Sequence, residues 1–457
     1  MDKFITVDRK TGYLLTPSVE DWLQKDHVAR FIVEVIDQLD LSNLTRQYRG
    51  RGSQAHHPAT LLAILVYGYC TGVFSSRKLE RATYDSVPFR YIAAGTHPDH
   101  DTLASFRRRF LGELDALFVQ VLRLAQEMKL LKLGTVCLDG TKIHANASRH
   151  SALSHGHIEK LEVQLKAEVA ELFALAEAAD QSSVSDGVSL PEEIKRREDR
   201  LAAMAIAKTK IAARVALRDA QEKQEYEQKM AARAARQEQT GKKPGGKPPQ
   251  EPQPGPRPSD QINLTDEESR IMPVVGGGFE QAYNAQAAVD ASTMLVIATG
   301  VTQAPNDKEQ VVPMLKALAA QATQAPALGV VQKIICDTGF YSEKNIQACE
   351  AANIDPLIAV ARDVHHPSWR ERHREPAPLP ENATAAQAMS NKLKTKAGRA
   401  LYALRKQTVE PVFGIIKSVM GFRQFSLRGL RNVTGEWTLV CLAWNLKRMA
   451  SLRPQFA

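Results

Sequence analysis

Two acids stand where apolar, strand-like runs end. In VCLDGTKIHANAS (Val136–Ser148) three apolar residues lead straight into Asp139 and Gly140, and in QKIICDTGFYSEKNI (Gln332–Ile346) a second such run stops at Asp337. Carboxylates are rarely buried unless they are paired or hold a cation. A third acid, Glu410, lies in LYALRKQTVEPVFGIIKSVMG (Leu401–Gly421), where Val409, Val412, Phe413 and Ile416 recur at helical spacing. Lys406, four residues before Glu410, and Lys417, seven after, share its stripe beside that apolar face. Three carboxylates that converge repel one another. Two divalent cations ~3.5–4 Å apart relieve this, and such a pair activates a nucleophile and stabilises the leaving oxygen of a phosphodiester. An all-oxygen ligand set selects Mg²⁺, with Mn²⁺ as a substitute, over zinc. Lys and Arg side chains next to Glu410 would hold the phosphates of the strand being cut.

The elements that must position these residues can be read along the chain. Residues 20 to about 132 read as mostly helical, with broad apolar faces at Leu61–Tyr69 and Leu111–Leu131. HPDHDTLASFRRRF (His97–Phe110) reads as a loop and then a helix capped at Asp101 or Thr102, whose Arg107, Arg108 and Arg109 are placed to meet phosphates. After the Asp139 strand, residues 157–179 and 190–239 are rich in Ala, Glu, Lys, Arg and Gln. Ile158, Leu161, Leu165, Val169 and Leu172 form a helical stripe there, so two helices joined by a polar turn around Asp180–Gly187 give an antiparallel hairpin. Residues 241–260 hold 7 Pro and 4 Gly in 20 and read as a flexible linker.

Strands follow at Tyr283–Asp290 and Met294–Val301, then a helix from about Asp307 with Asp307 and Gln310 as a capping box. The strand Gln332–Cys336 precedes Asp337, Ser342 caps the next helix, and Pro356–Ala361 is a further buried strand. Asp363–Asn391 reads as irregular, and helices close the chain from about Gly398. Pro411 predicts a kink or a fresh helix start at Glu410. Strands alternating with helices imply a mixed α/β sheet, with both aspartates at strand ends, where such sheets bind ligands.

Charge and composition narrow the partners. From Asn391 to the end there are thirteen Lys and Arg against two Glu, within a net charge of +9 over 457 residues. That concentration is the footprint of a polyanion partner. The five cysteines are scattered, odd in number and set among apolar neighbours, which fits a reducing, cytosolic setting rather than a disulfide framework or a zinc ribbon. The N-terminal residues carry no signal-peptide pattern, and the longest apolar stretch, Leu61–Phe74, is too short for a bilayer, which needs roughly 20 residues. The His-rich run His144, His150, His155 and His157 lacks a fixed spacing with a distant acid and does not point to zinc.

In these motifs the chain resembles the DDE transposases of bacterial insertion sequences, in the group with a ribonuclease H-like core and a Tyr-Arg-Glu-Lys signature. LDGTKIHANAS resembles that group's first-Asp motif and CDTGFYSEKNI its second. YALRKQTVEPVFGIIK resembles the signature, with Tyr402, then Arg405 after two residues, Glu410, and Lys417 after six more. The pattern expects three residues between the basic position and the Glu. Arg405 leaves four, whereas Lys406 leaves three but shifts the spacing from Tyr402, so both remain open. HHPATLLAILVYGYCTGVFSSRKLER, PDHDTLASFRR, NLTDEESRIM and GFEQAYNAQAAVD also resemble segments of the family.

The resemblance implies a ribonuclease H-like mixed sheet flanked by helices (133–150 and 261–457), an N-terminal helical domain that reads transposon ends (1–132), and a helical insertion (151–240). It makes Asp139, Asp337 and Glu410 the metal-binding triad. Tyr402, Arg405 or Lys406, and Lys417 would then contact DNA, alongside Arg107 and Arg108. It implies cleavage at terminal inverted repeats by water, transfer of the freed 3′-hydroxyl into target DNA, and action as a homodimer on paired ends. A nuclease that cuts without strand transfer, a catalytically silent DNA-binding derivative and a helical scaffold are the rival readings, the last favoured only if the three acids lie far apart.

Overall fold

Apolar residues at every helical phase, rather than on one stripe, mark helices that a core must surround. Two segments have that character, Pro58–Thr71 and Leu430–Leu452, and both are buried nearly all round. The computed structural model describes residues 18–48, 54–148, 152–179, 190–241, 245–274, 276–361, 368, 374–380 and 382–453. The described chain begins with helices α1 (Val28–Asp37), α2 (Ser42–Thr45), α3 (Pro58–Thr71), α4 (Ser76–Asp85), α5 (Val87–Ile92), α6 (His100–Arg109) and α7 (Leu114–Glu127). Strand β1 (Thr135–His144) follows, and then a separate unit, described below. The chain goes on through β4 (Arg270–Pro273), β5 (Phe279–Asp290), β6 (Val296–Thr302), α10 (Val311–Gln324), β7 (Lys333–Cys336), α11 (Glu343–Ala351) and β8 (Asp355–Ile358). It closes with α12 (Ala385–Lys394), α13 (Lys396–Ser418) and α14 (Leu430–Leu452).

The main sheet runs β4-β5-β1-β7-β8, with β6 also on β5. β1 pairs antiparallel with β5 and parallel with β7, β7 pairs parallel with β8, and β5 pairs antiparallel with β6. The sheet is therefore mixed and flanked by helices. Ala282–Asp290 of β5 is buried without a break, as a strand covered on both faces must be. Helix α13 packs on β1 and β7, while α14 packs on β6 and also on α1, α3 and α7. That double packing explains why α14 has no polar face and why the N-terminal helices and the sheet form one compact unit. Its Glu436, fully buried, accepts from the Tyr69 hydroxyl of α3 at 2.7 Å and from the backbone N–H groups of Ser426 and Leu427 at 2.9 Å each.

The second unit holds β2 (Ala152–Ser154), α8 (His155–Ala179), α9 (Leu190–Thr240) and β3 (Gln261–Asn263). Leu153, Ile158, Leu165, Met204, Ala207, Ile211, Val215 and Ile262 form its own small core. Ion pairs from Arg197 to Glu168 and from Lys208 to Glu162 step in opposite directions along the two helices, so they are antiparallel. The expected turn around Asp180–Gly187 lies outside the described residues.

Several local expectations change. Residues 255–260 hold no regular element, as their prolines require, but they are tied to α9. Arg218 donates to Gly255 O and Asp260, Gly255 N–H donates to Asp219, and Arg257 pairs with Glu222. The cap of α6 is Asp99, not Asp101 or Thr102, because its carboxylate accepts from Thr102 N–H at 2.7 Å. Helix α12 forms inside the stretch read as irregular, started by a Thr384–Gln387 capping box. Helix α13 runs through Pro411 without a new start, held by the buried Val409, Val412, Phe413 and Ile416 on both sides of the missing donor. Among the described residues no single helix is long and apolar enough to cross a membrane.

Candidate active site

Pairing register builds the site. β1 and β7 are matched from Thr135 opposite Lys333 to Leu138 opposite Cys336, so the next residues, Asp139 and Asp337, leave the parallel ladder side by side. β1 continues against β5 to His144 opposite Ala282, which holds Asp139 in extended backbone. β7 instead turns, and the Asp337 carboxylate caps a short helical turn by accepting from Gly339 N–H at 2.8 Å. Neither placement depends on long side chains; both follow from backbone hydrogen bonds and the alternation of strand residues.

Glu410 reaches this pair through a cation. Arg405, five residues and so about 1.4 turns before Glu410 on α13, donates to Asp139 Oδ2 at 3.0 Å and to Glu410 Oε1 at 2.9 Å. The guanidinium and Asp139 are 14% and 15% exposed, whereas Glu410 is 47% exposed. Burial pushes the Asp139 carboxyl up to about 7; the charge of Asp337 acts the same way, and Arg405 opposes both. Burial pulls the Lys142 ammonium down, against the attraction of Asp307, Asp139 and Asp337. Lys417 is drawn down by its own burial and by the like charges of Lys142 and Arg423.

Three acids and a knot of cations thus share one end of the sheet. As the side chains stand, no three acidic, His or Cys groups among the described residues converge closely enough to enclose a metal ion. The chemistry of the donors nevertheless suits one. They are carboxylate oxygens, the ligands of hard divalent cations, and a cation beside Asp139 would oppose the burial and the Asp337 charge that hold its carboxyl near 7. Arg405 and Lys406, left open by spacing, are separated by geometry: Arg405 touches two of the acids and Lys406 lies exposed.

The chain matches two family models. One, described as a transposase domain (DUF772), covers residues 17–109, and the other, described as a transposase DDE domain, covers residues 261–446. The second contains Asp337, Arg405 and Glu410 and begins after Asp139. The chain belongs to the DDE transposases of insertion sequences. No curated protein and no solved structure matches the chain.

In the transposase, Tyr402 is half-buried one turn before Arg405 and within its electrostatic reach. Of the α6 arginines, Arg108 is exposed. Arg107 turns inward and donates to Tyr69 Oη and Phe74 O at 3.1 Å each, so it faces the interior instead of a phosphate. Arg109 lies over Tyr48 and bonds Gln47 O. Sequence reasoning passed over Lys142, Asn284, Gln286 and the true setting of Asp307. The available signal was in YNAQAAVD, where two amides recur at i and i+2 in a strand otherwise fit only for a core.

Proposed function

We propose that this transposase cleaves DNA at the terminal inverted repeats of its insertion sequence and joins the freed ends to target DNA, with Asp139, Asp337 and Glu410 as ligands of two Mg²⁺ ions. The observation that carries the reading is the β1–β7 register, which sets two sequence-distant aspartates side by side within reach of Arg405 and, through it, Glu410. Bound at these oxygens, Mg²⁺ would polarise the scissile phosphate and acidify the attacking water.

Hydrolysis exchanges one bond to phosphorus for another: the water oxygen bonds, the 3′-oxygen leaves, and it takes up a proton to become a hydroxyl. Strand transfer repeats the exchange with that hydroxyl as nucleophile on a target phosphodiester, so no external energy source is required. Asp139, with its carboxyl near 7, readily gives up a proton from Oδ when a cation approaches at neutral pH. Arg405, Lys417 and Lys142 are the phosphate-facing cations. The last two have lowered proton affinity, which a polyanion would restore. Tyr402, Lys406 and Arg108 extend the contact along the DNA, and two copies act on paired ends.

The test is incubation of the full chain with labelled DNA carrying the flanking ends of its own gene, in Mg²⁺ and in EDTA, beside Asp139→Ala. Metal-dependent cleavage at the element boundary, lost in the variant, is the expected result. Cleavage that survives Asp139→Ala overturns the site, and cleavage without joining favours the plain nuclease.

A further inference from the structure

Asp307 was the obvious helix cap, and it does not cap. Helix α10 starts at Val311 with Gln310 in the cap position and no side-chain cap bond. Only the backbone oxygen of Asp307 serves that turn, accepting from Gln310 N–H at 3.0 Å. The carboxylate turns to the sheet instead, where Oδ1 accepts from Asn284 Nδ2 at 2.7 Å and from Gln286 Nε2 at 2.6 Å. Both amides belong to β5 and stand opposite Lys142 and Gly140 of β1.

That clamp leaves groups over. With their nitrogens turned to Asp307, Asn284 Oδ1 and Gln286 Oε1 have no hydrogen-bond partner, although the side chains are 0% and 1% exposed. A buried acceptor without a donor is costly and calls for a water or a cation. Asn284 Oδ1 is aimed into the slot above Gly140. A Cβ on Gly140 would lie 2.2 Å from Gln286 Nε2, 2.4 Å from Asp307 Oδ1 and 2.8 Å from Asn284 Oδ1. The residue after Asp139 must therefore be glycine if Asp307 is to reach the site. The other oxygen, Asp307 Oδ2, and Asp337 Oδ1 both flank Gly339: a Cβ there would lie 3.8 Å from Asp307 Oδ2 and 3.0 Å from Asp337 Oδ1.

We propose that Asp307 is a fourth carboxylate of this site and binds a divalent cation through Oδ2, together with Asp337 and Asp139. The proposal rests on the functional reading above and extends it to a residue outside the triad. Asn284 and Gln286 fix the orientation of Oδ2 by holding its twin, as outer hydrogen bonds orient ligand carboxylates elsewhere. A cation bound there would draw the carboxylates together and screen each from the others.

Isothermal titration of the full chain with Mn²⁺, without DNA, tests this against Asp307→Asn, Gly140→Ala and Asp139→Asn. Asp307→Asn keeps the clamped oxygen and replaces only the free one; Gly140→Ala displaces the carboxylate without touching its charge. Both are expected to weaken Mn²⁺ binding at least ~10-fold, a loss typical of ligand-shell changes, with circular dichroism unchanged from the parent. Parent-like Mn²⁺ binding in a folded Asp307→Asn, while Asp139→Asn has lost it, overturns the role of Asp307 and leaves the triad standing. No Mn²⁺ binding by the parent overturns both.

Discussion

Asp139→Asn should make the metal-free protein more stable, by an amount that grows as pH rises from about 4 to about 7. The folded-state carboxyl lies at about 7, raised from 3.8 by burial and then by Asp337. Between about pH 4 and pH 7 the folded protein therefore keeps a proton that the unfolded chain has released, and stability falls as pH rises through that window. The displacement corresponds to about 4 kcal/mol, since each tenfold change in a proton equilibrium is about 1.4 kcal/mol. Asparagine carries no charge at either end of the window but forgoes the ion pair with Arg405. The expected gain is thus roughly 2–4 kcal/mol at pH 8 and close to zero at pH 4. Urea unfolding in EDTA at both pH values, followed by the fluorescence of core residues Trp437 and Trp444, measures it. The difference between parent and variant removes the contribution of every other titrating group. Saturating Mg²⁺ should then close the gap in the parent, by about 2.7 kcal/mol at 100 times the dissociation constant. A difference that is the same at pH 4 and pH 8, or a variant less stable than the parent at pH 8, would refute the argument.

Other perturbations have equally definite outcomes. At limiting Mg²⁺, DNA cleavage should rise with pH through about 7 as Asp139 loses its proton, and a flat profile from pH 6 to 8 would count against a cation at Asp139. Glu436→Ala leaves the Tyr69 hydroxyl and two backbone N–H groups without an acceptor; a loss of about 3–5 kcal/mol in chemical denaturation is expected, with Glu436→Gln losing less. Arg405→Lys keeps the charge but not the fork that spans Asp139 and Glu410, so strand cleavage should fall at least ~10-fold while melting changes little. Ile211→Ala in the second unit should cost about 2–5 kcal/mol, detectable as earlier proteolysis within α8 and α9.

Asp139 and Asp337 were legible because an acid directly after an apolar run breaks a strong local pattern; Asp337 does follow the end of its strand, whereas β1 continues past Asp139 to His144 because β5 goes on pairing with it. The fold class followed from the order of such patterns. Glu410 was legible from its helical stripe, but its neighbour was not. Arg405 and Lys406 differ by one residue in sequence and by about 100° around a helix, so only the packed structure says which one turns to the acids. Local rules failed where distant groups outcompeted them. Asp307 had a perfectly good capping position, yet two amides more than twenty residues earlier claimed its carboxylate. Arg107 sat in a basic cluster on a helix end, yet a tyrosine from α3 and the Phe74 carbonyl drew it inward. Pro411 would kink an isolated helix, but the buried side chains around it keep α13 whole.

The same register that sets the two aspartates side by side has a bearing on how such a chain can change. Lengthening either strand by one residue ahead of its acid would rotate that carboxylate to the opposite face of the sheet, so single-codon insertions in Thr135–Leu138 or Lys333–Cys336 should be lost from any functional library. The segment between His144 and Met272 leaves from the far end of β1 and returns before Tyr283 of β5. Its length enters none of the pairings that fix the acids. A transposase built this way can gain, lose or exchange its helical hairpin while the spacing of its chemistry stays the same.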